Sequence, residues 1–440
     1  MPAIILSLLG LVLAYGMLRY GAVLPADWSL CALGIGIVAV ADWLLPRSRR
    51  PAPPRLAVIV PYLLVVAVVV LQLLPLPLVL IRMVSRDRAD LLQALQGVTG
   101  PIRFAALSMS PPTTLAHLSR LAVYVAIVFL VRNLCWYFRD RLWVVCSPLM
   151  ALGAIEAVLG IVQSSVDATA NARGTYVNYD HFAGLLEMVL PFLVLFGVTI
   201  LRQRQSRFES KAGPAVAACL MFGLAATVLA AVLLSLSRMG FLASLFALFL
   251  VGVTSLGADY SWRRWIPSAA VGILVLMGFI YLPNDDLVKR FAGLASEELP
   301  ADMRSQIWKD TAHMIVPFAA AGSGLGTYES AFYKYKSVGP MLTTNFAHND
   351  YLQTLVELGI VGFAAGLFVV ARALRSGVRA SRAAVGKPYR YLGIACIASM
   401  GALLLHSFVD FNLYVPTNAM VAAWIVGLTE GLDFLRKSAV

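Results

Sequence analysis

The sequence predicts an all-α, polytopic membrane protein of about 12 transmembrane helices, and composition, periodicity and one long polar stretch all point that way. Of its 440 residues 60% are hydrophobic and 13% charged, with a mean hydropathy of +0.80, whereas an ordinary soluble protein is about 45–50% apolar. Apolar runs of about 18–25 residues recur along the chain, and each is long enough to cross a hydrocarbon core of about 30 Å. The long stretch of mixed polarity covers residues 284–351. It is the predicted place for a site outside the lipid.

The apolar runs divide the chain into three predicted regions. Residues 1–283 contain spans one to nine, residues 284–351 form a large helical loop, and residues 352–440 contain spans ten to twelve. The twelve spans are predicted at 3–20, 28–46, 56–81, 119–134, 142–165, 181–201, 214–235, 239–257, 265–283, 352–373, 390–408 and 416–434.

The formal net charge of +12 comes from basic residues that concentrate in short loops. These loops lie at 47–55, 132–141, 202–211, 261–264 and 372–390, and the C-terminal tail is also basic. Lysine and arginine are enriched in the cytoplasmic loops of membrane proteins. The pattern therefore predicts that both termini are cytoplasmic and that the 284–351 loop is on the outer face, and it explains the charge without nucleic acid. The five cysteines, in or beside apolar runs, are predicted to be packing residues.

The predicted loop contains a helix and a glycine-rich turn. Met303, Ile307 and Met314 recur at helical spacing within residues 301–318, which indicates an amphipathic helix. A turn at 322–326 and a second short helix at 327–336 follow, and Asn345 or Thr344 is a plausible N-cap for span ten. Earlier in the chain, Pro75 and Pro77 are expected to kink span three. Residues 84–118 read as an interfacial loop that prolines break into short pieces.

Four arginines lie at span ends or on the loop where the predicted topology requires no positive charge: Arg120, Arg173, Arg238 and Arg304. Arg238 lies in a very short hairpin between two apolar runs. Guanidinium donors form a rigid fork that fits phosphate oxygens, so converging arginines would suit a diphosphate. The alternative is that each arginine pairs with a carboxylate or a lipid headgroup.

His348 is a candidate general base at the start of span ten, where the helix dipole favours a neutral imidazole that can accept a proton near pH 7. The alternative is a packing or capping histidine. His406 and Asp410 are four residues apart and share a helix face. They either orient the site or serve as hydrogen-bond partners for each other as two buried polar groups, and the second, structural interpretation is favoured. Glu156 and Glu187 are intramembrane acids that no relay connects. Since no acidic cluster has convincing metal-ligand spacing, neither a metal nor another cofactor is predicted.

Several motifs, taken together and in this order, resemble one family. They are N-Y-D-H-F-A-G at 178–184, S-R-M-G at 237–240, R-x-x-x-W at 304–308, GSGLGTYESAFYKY at 322–335, H-N-D-Y-L-Q-x-L-x-E-x-G at 348–359 and H-S-x-x-D-F-N at 406–412. The set is similar to the O-antigen ligase and Wzy-type O-antigen polymerase superfamily, over roughly residues 120–430.

The resemblance implies a glycosyltransferase whose donor is a glycan on undecaprenyl diphosphate, with an active site on the periplasmic face of a Gram-negative inner membrane. It implies catalytic roles for His348, Arg238 and Arg304, and a metal-independent, inverting transfer. The positions implied to bind the diphosphate or the glycan are Arg120, Arg173, His181, Asn349, Tyr351, His406 and Asp410.

The favoured activity is that of an O-antigen ligase, whose acceptor would be a sugar hydroxyl of the lipid A core. A Wzy-type O-antigen or exopolysaccharide polymerase is the alternative within the superfamily. The chain lacks the long C-terminal extension of protein O-oligosaccharyltransferases, which counts against that activity. A twelve-span transporter of an anionic solute or lipid is the alternative from another class, and it would favour charges at mid-membrane depth and two related halves.

Overall fold

The computed structural model describes residues 2–45, 50–167, 171–207, 212–255, 301–337, 343–382 and 388–438, and almost all of its regular structure is helical. The predicted basic loop at 261–264, the predicted span at 265–283 and residues 284–300 of the predicted large loop lie outside these residues. The α-helices that form the bundle and its outer layer are α1 Pro2–Leu18, α2 Pro25–Trp43, α3 Leu56–Leu73, α4 Leu78–Val84, α5 Arg86–Thr99, α6 Pro111–Tyr137, α7 Ser147–Val166, α8 Tyr179–Arg207, α9 Ala212–Ser235, α10 Arg238–Ser255, α11 Ala301–Phe318, α12 Tyr328–Phe332, α13 Asp350–Ser381, α14 Pro388–His406 and α15 Pro416–Ser438.

Within the described residues, nine helices are long and apolar enough to cross a membrane. They are α2, α3, α6, α8, α9, α10, α13, α14 and the stretch Leu142–Val166 that contains α7. Helix α1 is apolar but has only 17 residues, and α15 carries charged residues such as Glu430 and Asp433. The all-α polytopic fold is confirmed, while the total of twelve spans and the boundaries of the three regions stay predictions.

Helices α8 and α14 form the centre of the bundle. In the most apolar 18-residue stretch of each, 72% of the residues are buried, against 28% in α2, α3, α6, α9 and α10. Helix α8 packs against α9, α10 and α14, and α15 packs along α6. The central helices therefore provide a protein interior in which polar side chains are shielded from lipid.

The basic helix ends meet at one end of the bundle, as the alternating topology requires. Arg372 near the end of α13 forms an ion pair with Glu430 of α15 at 2.7 Å, and the Arg132 guanidinium of α6 lies 4.2 Å from the Phe434 ring of α15. These contacts join three of the segments that the charge pattern predicted to be cytoplasmic. We call this end the basic face and the opposite end the site face.

Two details of the predicted chain path are wrong. The third span ends at Leu73, where Pro75 and Pro77 stop the helix and do not kink it; Leu76–Pro77 then pairs in antiparallel with Phe104–Ala105. Pro111 and Pro112 occupy the first turn of α6 and do not break the chain, because a proline at the first helical position lacks only a donor that would have no helical partner.

The amphipathic helix predicted over residues 301–318 is confirmed as α11. Its buried face, with Ile307, Met314 and Phe318, packs against Tyr328 and Phe332 of α12. The second predicted helix is shorter than expected, since α12 covers only Tyr328–Phe332.

The turn between α11 and α12 is fixed to two membrane helices. The Gln72 side chain of α3 donates to the carbonyls of Ala321 and Glu357 and accepts from the Leu325 amide. The Glu357 carboxylate of α13 accepts from the amides of Gly326 at 2.7 Å and Tyr328 at 3.1 Å. These bonds hold the outer layer in one position above the bundle.

Gly359 permits the close approach of α13 to this turn. Its φ is 67° and its ψ −178°, a conformation that is essentially restricted to glycine, and an added Cβ would lie 2.8 Å from the Ala319 carbonyl oxygen.

We expect Gly359→Ala to destabilise the protein by about 1–3 kcal/mol, because the backbone strain and the clash add. Thermal unfolding in detergent measures the effect. Gly366→Ala on the same helix, where a Cβ meets nothing within 4 Å, is the control and should gain up to about 1 kcal/mol from helix propensity; equal stability of the two variants would contradict the interpretation.

Candidate active site

Helix ends from both halves of the chain converge on the site face. The Ser237 hydroxyl caps α10 by accepting from the Gly240 amide at 3.2 Å, and it donates to the Asp180 carboxylate in the first turn of α8 at 2.5 Å. The Asp350 amide at the start of α13 donates to the Ser407 carbonyl just after α14 at 2.9 Å. These contacts place α8, α10, α13 and α14 around one small volume.

Local backbone geometry fixes the position of His348. Its φ is 49°, an uncommon value for a residue other than glycine. The Asn349 side chain follows as the N-cap of α13, accepting from the Leu352 amide at 3.0 Å. The Trp308 indole of α11 donates to the Ala347 carbonyl at 3.0 Å. The predicted caps, Thr344 and Asn345, are therefore wrong by four or five residues, and the true cap holds the residue next to the candidate base.

Asp410 lies at the centre of the site, because three imidazoles face its carboxylate. Its Oδ2 is 3.6 Å from Nε2 of His181 and 3.7 Å from Nε2 of His406. Its Oδ1 is 3.9 Å from Nδ1 of His348. The three histidines come from α8, α14 and the segment before α13, so the carboxylate joins elements that are far apart in the sequence.

The facing atoms of this cluster are close without being hydrogen-bonded. Among the described residues, His181 Nε2, His348 Nδ1 and Asp410 Oδ2 are buried and have no hydrogen-bond partner, and separations of 3.6–3.9 Å exceed a hydrogen bond. The cluster has polar capacity left for a substrate hydroxyl or for water.

The electrostatics of the site favour a neutral His348 and an ionised Asp410. Burial, with the Arg304 and His181 charges, lowers the pKa of His348 to about 4, although Asp410 opposes the shift. Burial alone would raise the pKa of Asp410, but His181, with His406 and His348, lowers it below its usual value. At pH 7 the His348 imidazole is then unprotonated and able to accept a proton.

Aromatic rings form one wall of the site. The Phe411 ring lies edge-on to His181 at 4.6 Å and to His348 at 5.0 Å between ring centroids. Phe346 stacks on its other side at 4.0 Å. Such a wall presents an apolar surface to the two imidazoles. The sequence did not predict it, because Phe346 and Phe411 lie in separate segments outside the helices and no local pattern joins them.

Three of the four candidate arginines lie on elements that surround this cluster. Arg304 is half-buried on α11, one turn before Trp308, and its charge acts on His348. Arg238 is exposed in the first turn of α10. Arg173 is exposed on a loop that the Ala172 amide ties to the Leu234 carbonyl at the end of α9, at 3.0 Å.

Arg120 occupies a different environment on α6. Its guanidinium lies 5.6 Å from the Trp28 ring and 3.4 Å from Nε2 of His117. Its contacts involve neither His348 nor Asp410. Its implied role in binding diphosphate stays a prediction.

The remaining candidates have identifiable partners. The Tyr351 hydroxyl donates a hydrogen bond to the Leu404 carbonyl at 2.7 Å. His406 is fully buried, and its Nδ1 lies 2.9 Å from Oε2 of Glu187.

The two intramembrane acids also have partners. Glu156 accepts hydrogen bonds from Thr175 through both carboxylate oxygens and so supports the loop that carries Arg173. Sequence reasoning singled out Glu187 only as an intramembrane acid; an acid in an apolar run is the signal for a buried partner, but it does not identify that partner.

An apolar cavity of about 330 Å³ lies between α3, α6, α13, α14 and α15 and reaches this site. Its wall is mostly aliphatic and aromatic, including Val125, Leu367 and Val370. Asp350 and Ser407, which also line it, are bonded to each other at 2.7 Å. The cavity therefore runs from the middle of the bundle to Asp350 at the start of α13, two residues from His348.

The fold and this site define a class: a multi-pass, all-α membrane protein with a histidine–carboxylate cluster and arginines at one end of the bundle. Residues 223–367 match the family model described as O-antigen ligase. This match, over about a third of the chain, confirms the resemblance to the O-antigen ligase and Wzy-type polymerase superfamily. No protein with a curated description matches the chain.

The matched segment contains only part of the site. Arg238, Arg304, His348, Asn349 and Tyr351 fall within it. The other candidates fall outside it, namely Arg120, Arg173, His181, His406 and Asp410. The structure nevertheless brings His181, His406 and Asp410 into contact with the matched part through His348.

We expect Asn349→Ala to destabilise the protein by about 0.5–2 kcal/mol, the usual cost of losing an N-cap. The change also removes the bond from the Asn349 amide to the Phe408 carbonyl at 3.0 Å. Thermal unfolding in detergent provides the measurement. Asn345→Ala, at an exposed position in the same segment, should have an effect below about 0.5 kcal/mol, and a comparable loss in both variants would argue against Asn349 as the cap.

Proposed function

We propose that this protein is an O-antigen ligase: it transfers a glycan from undecaprenyl diphosphate to a sugar hydroxyl of the lipid A core. The observation that carries the proposal is the position of His348. His348 lies in the segment that matches the O-antigen ligase model and faces Asp410. The Arg304 charge acts on its imidazole, and the apolar cavity reaches the same site.

Arg304, Arg238 and Arg173 are proposed to bind the diphosphate. When the glycosidic bond breaks, the phosphate oxygen keeps the bonding electron pair and gains one negative charge, so positive charge placed there stabilises the transition state more than the ground state. Each charge-assisted hydrogen bond to a phosphate contributes about 1.5–3 kcal/mol. Exposed Arg238 and Arg173 are accessible to a headgroup that enters from the membrane surface.

His348 is proposed to act as the general base. The acceptor hydroxyl attacks the anomeric carbon, the bond from that carbon to the phosphate oxygen breaks, and the proton of the hydroxyl passes to the unprotonated nitrogen of His348. The Asp410 carboxylate stabilises the resulting imidazolium. A single displacement of this kind inverts the anomeric centre and uses only groups of this chain and the two substrates; independence from metals stays a prediction.

The apolar cavity is proposed to receive part of the isoprenoid chain. A chain of methyl-branched alkene units has no hydrogen-bonding capacity, and burying its surface contributes about 25 cal/mol per Å². Asp350 and Ser407 line the cavity where it approaches the segment that carries His348, so a chain lying in it would place its diphosphate near His348. Tyr351 and Asn349 then lie where the first sugars of the donor would pass.

The proposed location is a Gram-negative inner membrane, with the site face in the periplasm. The basic face gathers Arg132 and Arg372 and the Arg436–Lys437 pair, as expected of a cytoplasmic side. The site face would then be open to periplasmic acceptors.

Deletion of the gene, followed by gel analysis of lipopolysaccharide, tests the proposed function. Loss of a ligase leaves unmodified core together with long polymer that is still attached to the carrier. Loss of a polymerase leaves core that bears a single repeat. Unchanged lipopolysaccharide, with a defect in the uptake or export of an anionic solute, would instead indicate a transporter.

His348→Ala and Arg238→Ala are expected to abolish transfer, since they remove the proposed base and a diphosphate ligand, and they should not lower expression. Complementation of the deletion strain, with immunoblots for protein level, checks this. His313→Ala on the exposed face of α11 and Arg202→Ala at the opposite end of α8 are matched controls that should restore normal product. Near-normal product from either test variant would remove that residue from the mechanism.

Gly366→Phe is expected to weaken use of the lipid-linked donor, because Gly366 lines the cavity and a ring there would occupy it. We expect a rise in KM for the donor of about tenfold, equivalent to about 1.4 kcal/mol, with kcat little changed. Kinetics with a purified lipid-linked donor provide the measurement. Gly223→Phe, at an exposed α9 position with open space around its Cβ, is the control; an equal effect in both variants would show that the cavity is not the site of the chain.

A further inference from the structure

His406 lies between two carboxylates in the interior of the bundle. Its Nδ1 is 2.9 Å from Oε2 of Glu187, and its Nε2 is 3.7 Å from Oδ2 of Asp410. Both His406 and Glu187 are 1% exposed or less. A neutral imidazole has a single N–H, and only an imidazolium presents an N–H to a carboxylate on each side. The geometry therefore fits a positively charged His406.

We propose that Glu187 is a positioning residue for glycan transfer: it holds His406 as a cation beside Asp410 and thereby limits how strongly Asp410 attracts a proton to His348. The proposal rests on the proposed function, since it concerns the base of that reaction. It assigns a role to a buried acid that touches neither the substrates nor His348.

The cost of burying Glu187 supports a specific role. A carboxylate at membrane depth costs about 2.5–3.5 kcal/mol on insertion scales, and such residues usually face a partner inside the bundle. Oε1 of Glu187 has no hydrogen-bond partner among the described residues, so its charge is matched mainly through His406. A pair of apolar residues would pack here at lower cost. The ion pair therefore contributes an electrostatic effect that packing does not require.

The positive charge on His406 affects His348, the proposed base, through Asp410. Asp410 faces both His406 and His348, so a positive charge on His406 offsets part of the negative charge that His348 experiences. With His406 uncharged, Asp410 would act on His348 with less compensation and would favour the protonated imidazole. A protonated His348 cannot accept a proton from the acceptor hydroxyl.

Other charged and titratable groups face the same cluster. Asp410, Arg304 and His181 act directly on His348. Asp180 acts on His406 and Glu187, and Asp350 interacts with His406 and Asp410. Glu187→Gln and His406→Asn, proposed below, leave Asp410, Arg304, His181, Asp180 and Asp350 in place. A change in the behaviour of His348 can then be attributed to the Glu187–His406 pair.

Titration of His348 by NMR tests the proposal independently of activity. The chain has five histidines, so 13Cε1-histidine labelling of the full-length protein in detergent gives a spectrum that single histidine substitutions can assign. In Glu187→Gln and in His406→Asn we expect the titration of His348 to move upward from its low wild-type value by about one pH unit, within the ~1–3 units that a close charge produces. Glu156→Gln, which removes a buried carboxylate bound to Thr175, is the matched control and should cause no shift.

The pH dependence of transfer provides the second measurement. Because the proposed base must be neutral, the rate should fall as the pH drops through the titration of His348, and in Glu187→Gln this acid limb should move upward by the same amount while the rate at high pH is largely retained. An unchanged or lowered titration of His348 in both variants would overturn the proposal. So would an unchanged titration with a uniform loss of rate at every pH, which would indicate a purely structural role.

The two proposals fail in different ways. If wild-type protein transfers no glycan, the proposed function fails, while the titration of His348 still decides whether Glu187 acts on it. Size-exclusion profiles establish that each variant is folded, and because Glu187 and His406 are altered separately, each variant tests the interaction from its own side.

Discussion

The Asp410 carboxylate is the group on which the arrangement of the site face depends. A negative charge in a low-dielectric interior is stable only beside positive charge or hydrogen-bond donors. Three imidazoles surround it, from α8, α14 and the segment before α13. The α8 backbone, the end of α14 and the start of α13 must therefore meet, and the bonds from Ser237 to Asp180 and from Asp350 to Ser407 extend the same requirement to neighbouring helix ends.

Much of the fold could be predicted from the sequence, because it follows from local patterns. Apolar run length gives most of the membrane helices, and the spacing of Ile307 and Met314 gives α11. The errors also have local causes: Pro75 and Pro77 follow an apolar run that continues past the end of the helix, so hydropathy alone extended span three. Asn345 and Asn349 are both good caps, and the start of α13 at Asp350, with the hydrogen bond from the Leu352 amide to the Asn349 side chain, decides between them.

The candidate site could be predicted residue by residue, but its assembly could not. His181, His348 and Asp410 lie in three separate segments, and no periodicity links positions that far apart. The His406–Asp410 pair was visible because it falls within one helical turn. The contact between Glu187 and His406 joins α8 to α14 across 219 positions, so the sequence could identify Glu187 as an intramembrane acid without indicating that it supports the same cluster.

The attachment of the outer layer to the bundle limits how substrates can approach. Gln72 and Glu357 hold the turn before α12 with hydrogen bonds from both of their side chains, and the Ile360 amide adds a bond to the Ala319 carbonyl. Moving α11 and α12 away from the bundle would break all of these hydrogen bonds together, and several of the groups that form them are buried. For the lipid-linked donor proposed above, a lateral route from the bilayer into the apolar cavity would leave all of these hydrogen bonds intact.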